Sequence, residues 1–333
     1  MRTQVSGIVI AAVCVACAAV VAGQSGSFLG KWNLTGTGDA AGYVYWLKIE
    51  EDAGQLTGLF LNRSGSPSRL GVVKVENGEL VFQGRGREGQ PSGPEYRARL
   101  DNGRLVGFHL LPQGRGRAGA NPAEPPPAPR RIDWIGTRPP AWPAVNANGQ
   151  HTYGTPVVLF DGTSLDAFGV QFPSRPLGWT VVDGIAQNDA GANNLVSKEK
   201  FADFRIQAEY KLGQDSNSGV YLRGRYELQI FDDFGQAEPR TTGHLAIYGH
   251  TAPRVNASRP IGAWQVLDAV IVANRVTATL NGQRVHDNQV IEGITGGALD
   301  NDELAPGPLM IQGDHQGVWI RRIVVTPITR AGR

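Results

Sequence analysis

The chain has 333 residues and a formal net charge of +2. That near balance, with no long run of like charge, argues against a nucleic-acid surface or a charged tail. The 44 glycines and 21 prolines, with heptad stretches missing, fit many short strands joined by tight turns.

At the N-terminus Arg2 precedes an apolar run from Ile8 to Val21, and small residues follow. A membrane helix needs about 20 apolar residues, and this run is shorter. It fits a secretory signal peptide over residues 1–23, cleaved near Ala22 or Gly23; an uncleaved anchor is the alternative. The expected location is secreted or periplasmic, with no membrane span in the mature chain. Cys14 and Cys17, the two cysteines of the chain, lie inside this segment. The mature protein is therefore expected to fold without disulfides.

Residues 27–138 read as a small antiparallel β domain. Asn77-Gly78 and Asn102-Gly103 sit between apolar runs and signal hairpins. An up-and-down meander of about seven or eight strands follows, closing as a small barrel or sandwich. Its opening Gly30-Lys31-Trp32 resembles the start of the calycin barrels. Within it, residues 112–130 are rich in Pro, Gly, Ala and Arg without an apolar period, the pattern of a disordered loop. Residues 139–156 read as an interdomain linker.

Residues 157–328 form a second β-rich region, with short connections such as Asn281-Gly282 implying antiparallel pairing. No G-x-G-x-x-G opens a helix, which disfavours a nucleotide-binding α/β fold. The expected class is all-β, a jelly-roll sandwich behind the small barrel or meander.

The stretch "NSGVYLRGRYELQIFDD" (Asn217 to Asp233) alternates. Val220, Leu222, Tyr226, Leu228 and Ile230 mark one buried face of a strand; Tyr221, Arg223, Arg225, Glu227 and Gln229 mark the other. Arg223 beside Glu227 would hold the carboxylate ionised, as a site residue or as a surface ion pair. In one straight strand Glu227 and Asp233 lie about 20 Å apart, too far for a glycosidase couple at about 5–9.5 Å. Glu209 has the polar parity of its own strand and could complement Glu227 across the sheet. His315, in a glycine-bounded turn, can accept a proton near neutral pH. Metal spacing is absent, since His244 and His250 lack an H-E-x-x-H pattern. No cofactor is expected, and calcium on loop carboxylates such as Asp161 or Asp189 stays open.

The segments "LFDGTSLDAF", "WTVVDGIAQ", "FADFRIQAEYKL", "NSGVYLRGRYELQIFDD", "TGHLAIYG", "GAW", "LNGQRVHDN" and "PLMIQGDHQGVWIRRIVV" occur in this order. Together they resemble the 3-keto-disaccharide hydrolase domain, over about residues 157–328. One departure is Gln265 after Trp264, where the family carries Asn. The resemblance implies a concanavalin-like jelly roll and a small carbohydrate substrate already oxidised at carbon 3. The keto group acidifies the hydrogen on carbon 2, so a base, an enolate stabiliser and β-elimination replace paired carboxylates. On this reading Glu227 or His315 is the base and Arg223 the stabiliser. Gln229, Asn217, Tyr221, Glu209, Tyr248, His244, Trp264, Gln312 and Arg321 are candidates for sugar contacts. A non-catalytic carbohydrate-binding module is the alternative.

Overall fold

The computed structural model describes residues 26–112, 128–315 and 317–330. The expected signal peptide lies outside the described residues, as does 113–127 of the expected disordered loop. The chain divides into two compact units. One runs through Phe60 and from Ser68 to Arg138; the other takes in Leu61–Pro67 and Pro139–Arg333. Among the described residues no helix is long and apolar enough to cross a membrane.

The first unit is a closed antiparallel barrel of β1 (Gly30–Gly36), β2 (Val44–Asp52), β3 (Gln55–Asn62), β4 (Ser68–Glu76), β5 (Glu79–Arg85), β6 (Pro91–Asp101), β7 (Arg104–Leu111) and β8 (Arg130–Thr137). Closure comes from β1 pairing β8, with Leu34 opposite Gly136. Alternate residues such as Trp32, Leu34, Tyr45, Leu47, Phe82, Tyr96 and Trp134 fill the interior, as a barrel of this size requires. The turns Asn77-Gly78 and Asn102-Gly103 adopt positive φ at both residues, which matches the twist of the strands they join.

The second unit is a two-sheet sandwich. Its strands are β9 (Thr152–Tyr153), β10 (Val157–Phe160), β11 (Phe168–Val170), β12 (Trp179–Val182), β13 (Ile185–Asn188), β14 (Leu195–Phe201) and β15 (Phe204–Leu212). They continue with β16 (Asn217–Leu222), β17 (Tyr226–Phe231), β18 (Trp264–Val272), β19 (Arg275–Leu280), β20 (Gln283–Val290), β21 (Gly307–Ile311) and β22 (Val318–Thr329). A nine-stranded sheet has the order β12-β13-β22-β15-β18-β19-β20, with β9 and β10 on β22. A five-stranded sheet runs β11-β14-β21-β16-β17. Buried Ile206, Ala208, Leu267, Ala269, Val220, Leu228 and Ile230 supply the apolar parity that two stacked sheets bury between them. The fold is all-β, a jelly-roll sandwich preceded by a barrel.

Two expectations need correction. The segment 139–156 is not a free linker but part of the second unit. Ala147 N–H donates to Asn288 Oδ1 at 2.9 Å, Asn148 Nδ2 to Asp287 Oδ1 at 2.7 Å, and Thr277 Oγ1 to Asn148 Oδ1 at 2.7 Å. β9 then pairs β22, with Tyr153 opposite Ile328. Asn217–Asp233 is also not one strand but a hairpin, β16 and β17, turning at Arg223 (φ 56°) and Gly224 (φ 67°). Leu222 pairs Tyr226 across that turn. Both are even-numbered, so the alternation passes through the turn unbroken and hides it.

Candidate active site

The hairpin register builds the site. Tyr221 pairs Glu227 and Gly219 pairs Gln229, so all four share the face turned away from the sandwich core. On one side Tyr221 also pairs Met310 of β21, and Gln312 N–H donates to Gly219 O at 3.0 Å. Beyond β17, Leu228 pairs Ile247, and Tyr248 N–H donates to Glu227 O at 3.1 Å. Two rows therefore cross the face: Met310, Tyr221, Glu227, Tyr248 and Gln312, Gly219, Gln229. Asn217, two residues before Gly219, has the same parity.

Loops fold over these rows and bury them. Thr295 Oγ1 accepts from Glu227 N–H at 2.9 Å and donates to Arg225 O at 3.1 Å. Tyr221 Oη donates to Gly296 O at 2.8 Å. Glu227 is left 3% exposed. Its carboxyl has Tyr221 as a hydrogen-bonding neighbour, and among the described residues no cation offsets its charge. Burial, with the negative charge of Asp314 adding, pushes it up to about 8. With its amide oriented to satisfy both neighbours, Gln229 donates to Ser218 O at 2.8 Å and Glu227 Oε1 at 2.9 Å. Burial, then the Glu227 charge, holds the Tyr221 phenol well above its ordinary value, so Tyr221 stays a neutral donor. Gln312 Oε1 is buried with no donor among the described residues. A buried acceptor left unanswered is costly, and a ligand hydroxyl would answer it.

Gly219 makes room for the carboxyl. A Cβ there would stand 2.2 Å from Glu227 Oε1 and 2.8 Å from its Cγ. A glycine inside a strand pattern signals such a close approach, and the sequence reading passed over it. Gly219→Ala is expected to displace the carboxyl and lower kcat/KM about 100-fold. Thermal unfolding beside the kinetics separates that loss from misfolding. Asp314, also missed, adds its negative charge to the burial that raises Glu227, and its Oδ1 lies 2.8 Å from His315 Nδ1. The His315 side chain itself is 46% exposed.

Other candidates lie elsewhere. Arg223 occupies the left-handed turn position, so its side chain leaves the strand alternation. It is 2% exposed and donates to Asp203 Oδ1 at 3.0 Å and Ala273 O at 2.8 Å. It neither sits beside Glu227 nor holds it ionised. His244 is buried with both ring nitrogens engaged. Nδ1 lies 2.8 Å from Phe231 O and so donates, which leaves Nε2 to accept from Tyr210 Oη at 2.7 Å. Burial lowers its pKa, and the neutral ring is a packing group, not a sugar contact. Asp233 accepts from His244 N–H at 2.9 Å and Asn256 Nδ2 at 3.2 Å, so it is engaged away from Glu227.

Glu209 is on β15 of the nine-stranded sheet and pairs Arg321 on the outer face. It cannot complement Glu227, which belongs to the other sheet. Trp264 flanks the same surface, with the Arg321 guanidinium 4.3 Å from its ring centroid. Arg321→Ala is expected to leave the Glu227 site unchanged and to cost about 0–1 kcal/mol of stability, read from chemical denaturation. Gln265, the family departure, holds its own loop: Oε1 accepts from Arg259 N–H at 3.0 Å and Nε2 donates to Arg259 O at 3.0 Å. Among the described residues no group of three or more His, Cys, Asp or Glu is placed to hold a metal ion. Asp161 Oδ1 accepts from Thr163 N–H at 3.1 Å and Thr163 Oγ1 at 2.6 Å, a turn-capping role.

Among curated proteins none matches significantly. Three solved structures from Parabacteroides distasonis, each described as a candidate glycosyl hydrolase, are similar. The first is 24% identical over 64% of this chain and 99% of that one, at a TM-score of 0.45. The second is 19% identical over 52% and 94%, at 0.42; the third is 21% identical over 52% and 100%, at 0.41. The family model of the 3-keto-alpha-glucoside-1,2-lyase-like domain matches residues 155–326, just over half of the chain. The chain belongs to this family of carbohydrate-acting enzymes.

Proposed function

We propose that the protein is a secreted or periplasmic enzyme that cleaves 3-keto-glucosides, 3-keto-disaccharides among them. Family membership supports the substrate class, and the N-terminal leader pattern supports export. The observation that carries the chemistry is Glu227: a buried carboxyl without a cation partner, raised to about 8, close to the pH at which a general base works best. The ionised carboxylate takes the proton from carbon 2, and the electron pair moves into the enolate. The enolate collapses, the carbon 1 oxygen bond breaks, and the leaving alkoxide takes a proton from the Glu227 carboxyl. Water then adds across the new double bond, oxygen to carbon 1 and hydrogen to carbon 2, completing net hydrolysis. Tyr221 gives its one proton to Gly296 O, so the Gln312 amide, on the same face as Glu227, is the neutral group left to meet the developing charge. Arg223 is withdrawn from that role.

The test is product release by the purified chain from a 3-keto-disaccharide, with the unoxidised disaccharide alongside. Cleavage of the keto form alone is expected. Equal cleavage of both points to an ordinary glycosidase; binding without cleavage points to a carbohydrate-binding module. For the keto substrate, kcat/KM should rise with pH through a midpoint near 8, because only the ionised Glu227 accepts the proton. A flat profile from pH 6 to 9 would remove Glu227 as the base.

A further inference from the structure

The outer face of the nine-stranded sheet, on the side of the sandwich away from Glu227, carries a pocket. Its volume is about 290 Å³, at the small end of ligand sites and matched to one sugar ring. The register assembles it. Arg205, Val270 and Thr277 pair across β15, β18 and β19, and Asp268 pairs Thr279, which pairs Arg284 of β20. Residues 147–149 and Tyr153 form the remaining wall.

The lining is polar and charged, yet each cation has its anion. Arg205 Nε donates to Asp268 Oδ1 at 2.8 Å, with Nη2 on Oδ2. Arg284 Nη1 lies 2.9 Å from Asp287 Oδ1. An incoming anion would meet two carboxylates, so the balance disfavours acidic ligands. Thr277 Oγ1 donates to Asn148 Oδ1 at 2.7 Å, yet the carboxylate and amide oxygens of the lining keep lone pairs that can accept from further hydroxyls. Nη1 of Arg205, uncommitted to Asp268, is left to donate. Tyr153 is 48% exposed and fixed on β9, so its ring offers a negative π face to sugar C–H groups.

We infer that this pocket binds a neutral, polyhydroxylated ring, one hexose unit of a glycan, at a position separate from the Glu227 site. A grip of this kind would hold the enzyme on glycan while the other face works. The inference does not need the keto-sugar chemistry.

The experiment is isothermal titration of the whole purified chain with methyl α-glucoside, and separately with glucuronate. Tyr153→Ala and Arg205→Gln are the variants, each checked for folding by circular dichroism and for unchanged cleavage of a 3-keto-disaccharide. The expected result is saturable binding of the glucoside, at least about tenfold weaker in each variant, with glucuronate bound more weakly by the parent. No glucoside binding by the parent, equal binding by parent and folded variants, or a preference for glucuronate would each overturn it. Tyr153 is exposed, so its variant keeps the test open if Arg205→Gln fails to fold.

Discussion

Glu227→Gln is expected to lower kcat/KM for a 3-keto-disaccharide by about 100- to 10,000-fold, the usual share of a general base. The amide keeps the shape of the carboxyl and its contacts with Gln229 and Tyr221, so the loss isolates proton transfer from packing. The same replacement should change stability in a definite direction. Glu227 has its folded pKa raised from 4.5 to about 8, so the folded state holds its proton where the unfolded state releases it. Stability is therefore highest at low pH and falls as pH rises from about 4.5 to about 8. The Gln variant lacks this decline and should be more stable than the parent above pH 8. Denaturant midpoints at pH 5 and pH 9 check this. An active, fully folded Gln variant would exclude Glu227 as the base and leave His315, beside Asp314, as the candidate.

Asp203→Ala carries the largest expected effect on stability. Asp203 is 5% exposed, and its carboxylate receives Arg223, Arg330 and the Ala273 N–H. Removing it strands the 2% exposed Arg223 guanidinium. A buried charge without its partner costs about 3–5 kcal/mol. The variant should unfold at much lower denaturant, with activity per folded molecule retained, because none of these groups faces Glu227. Arg223→Met should do less harm, since the Asp203 carboxylate it leaves behind keeps Arg330 and the Ala273 N–H as partners. Urea unfolding of both variants, alone and combined, measures the coupling.

The site was only partly legible from residue order, and Glu227 and Arg223 show why. Period two assigns faces correctly, so Tyr221, Glu227 and Gln229 do share one. It cannot register a turn that preserves parity, and Arg223-Gly224 is such a turn. The charge next to Glu227 in sequence is therefore absent from its surroundings, and the carboxyl is raised instead of held ionised. Arg321 and Glu209 fail for another reason. Each lies on a strand with the right polar parity, but parity does not say to which of two sheets a strand belongs.

The sequence by itself determined the all-β class, the barrel followed by the sandwich, the Asn-Gly hairpins and the family, because local periodicity and turn chemistry act over a few residues. Tertiary structure alone decided which polar groups lose water. The loops around Tyr248 and Gly296 come from distant parts of the chain, and their closure over Glu227 sets its proton affinity through long-range desolvation that no local pattern encodes.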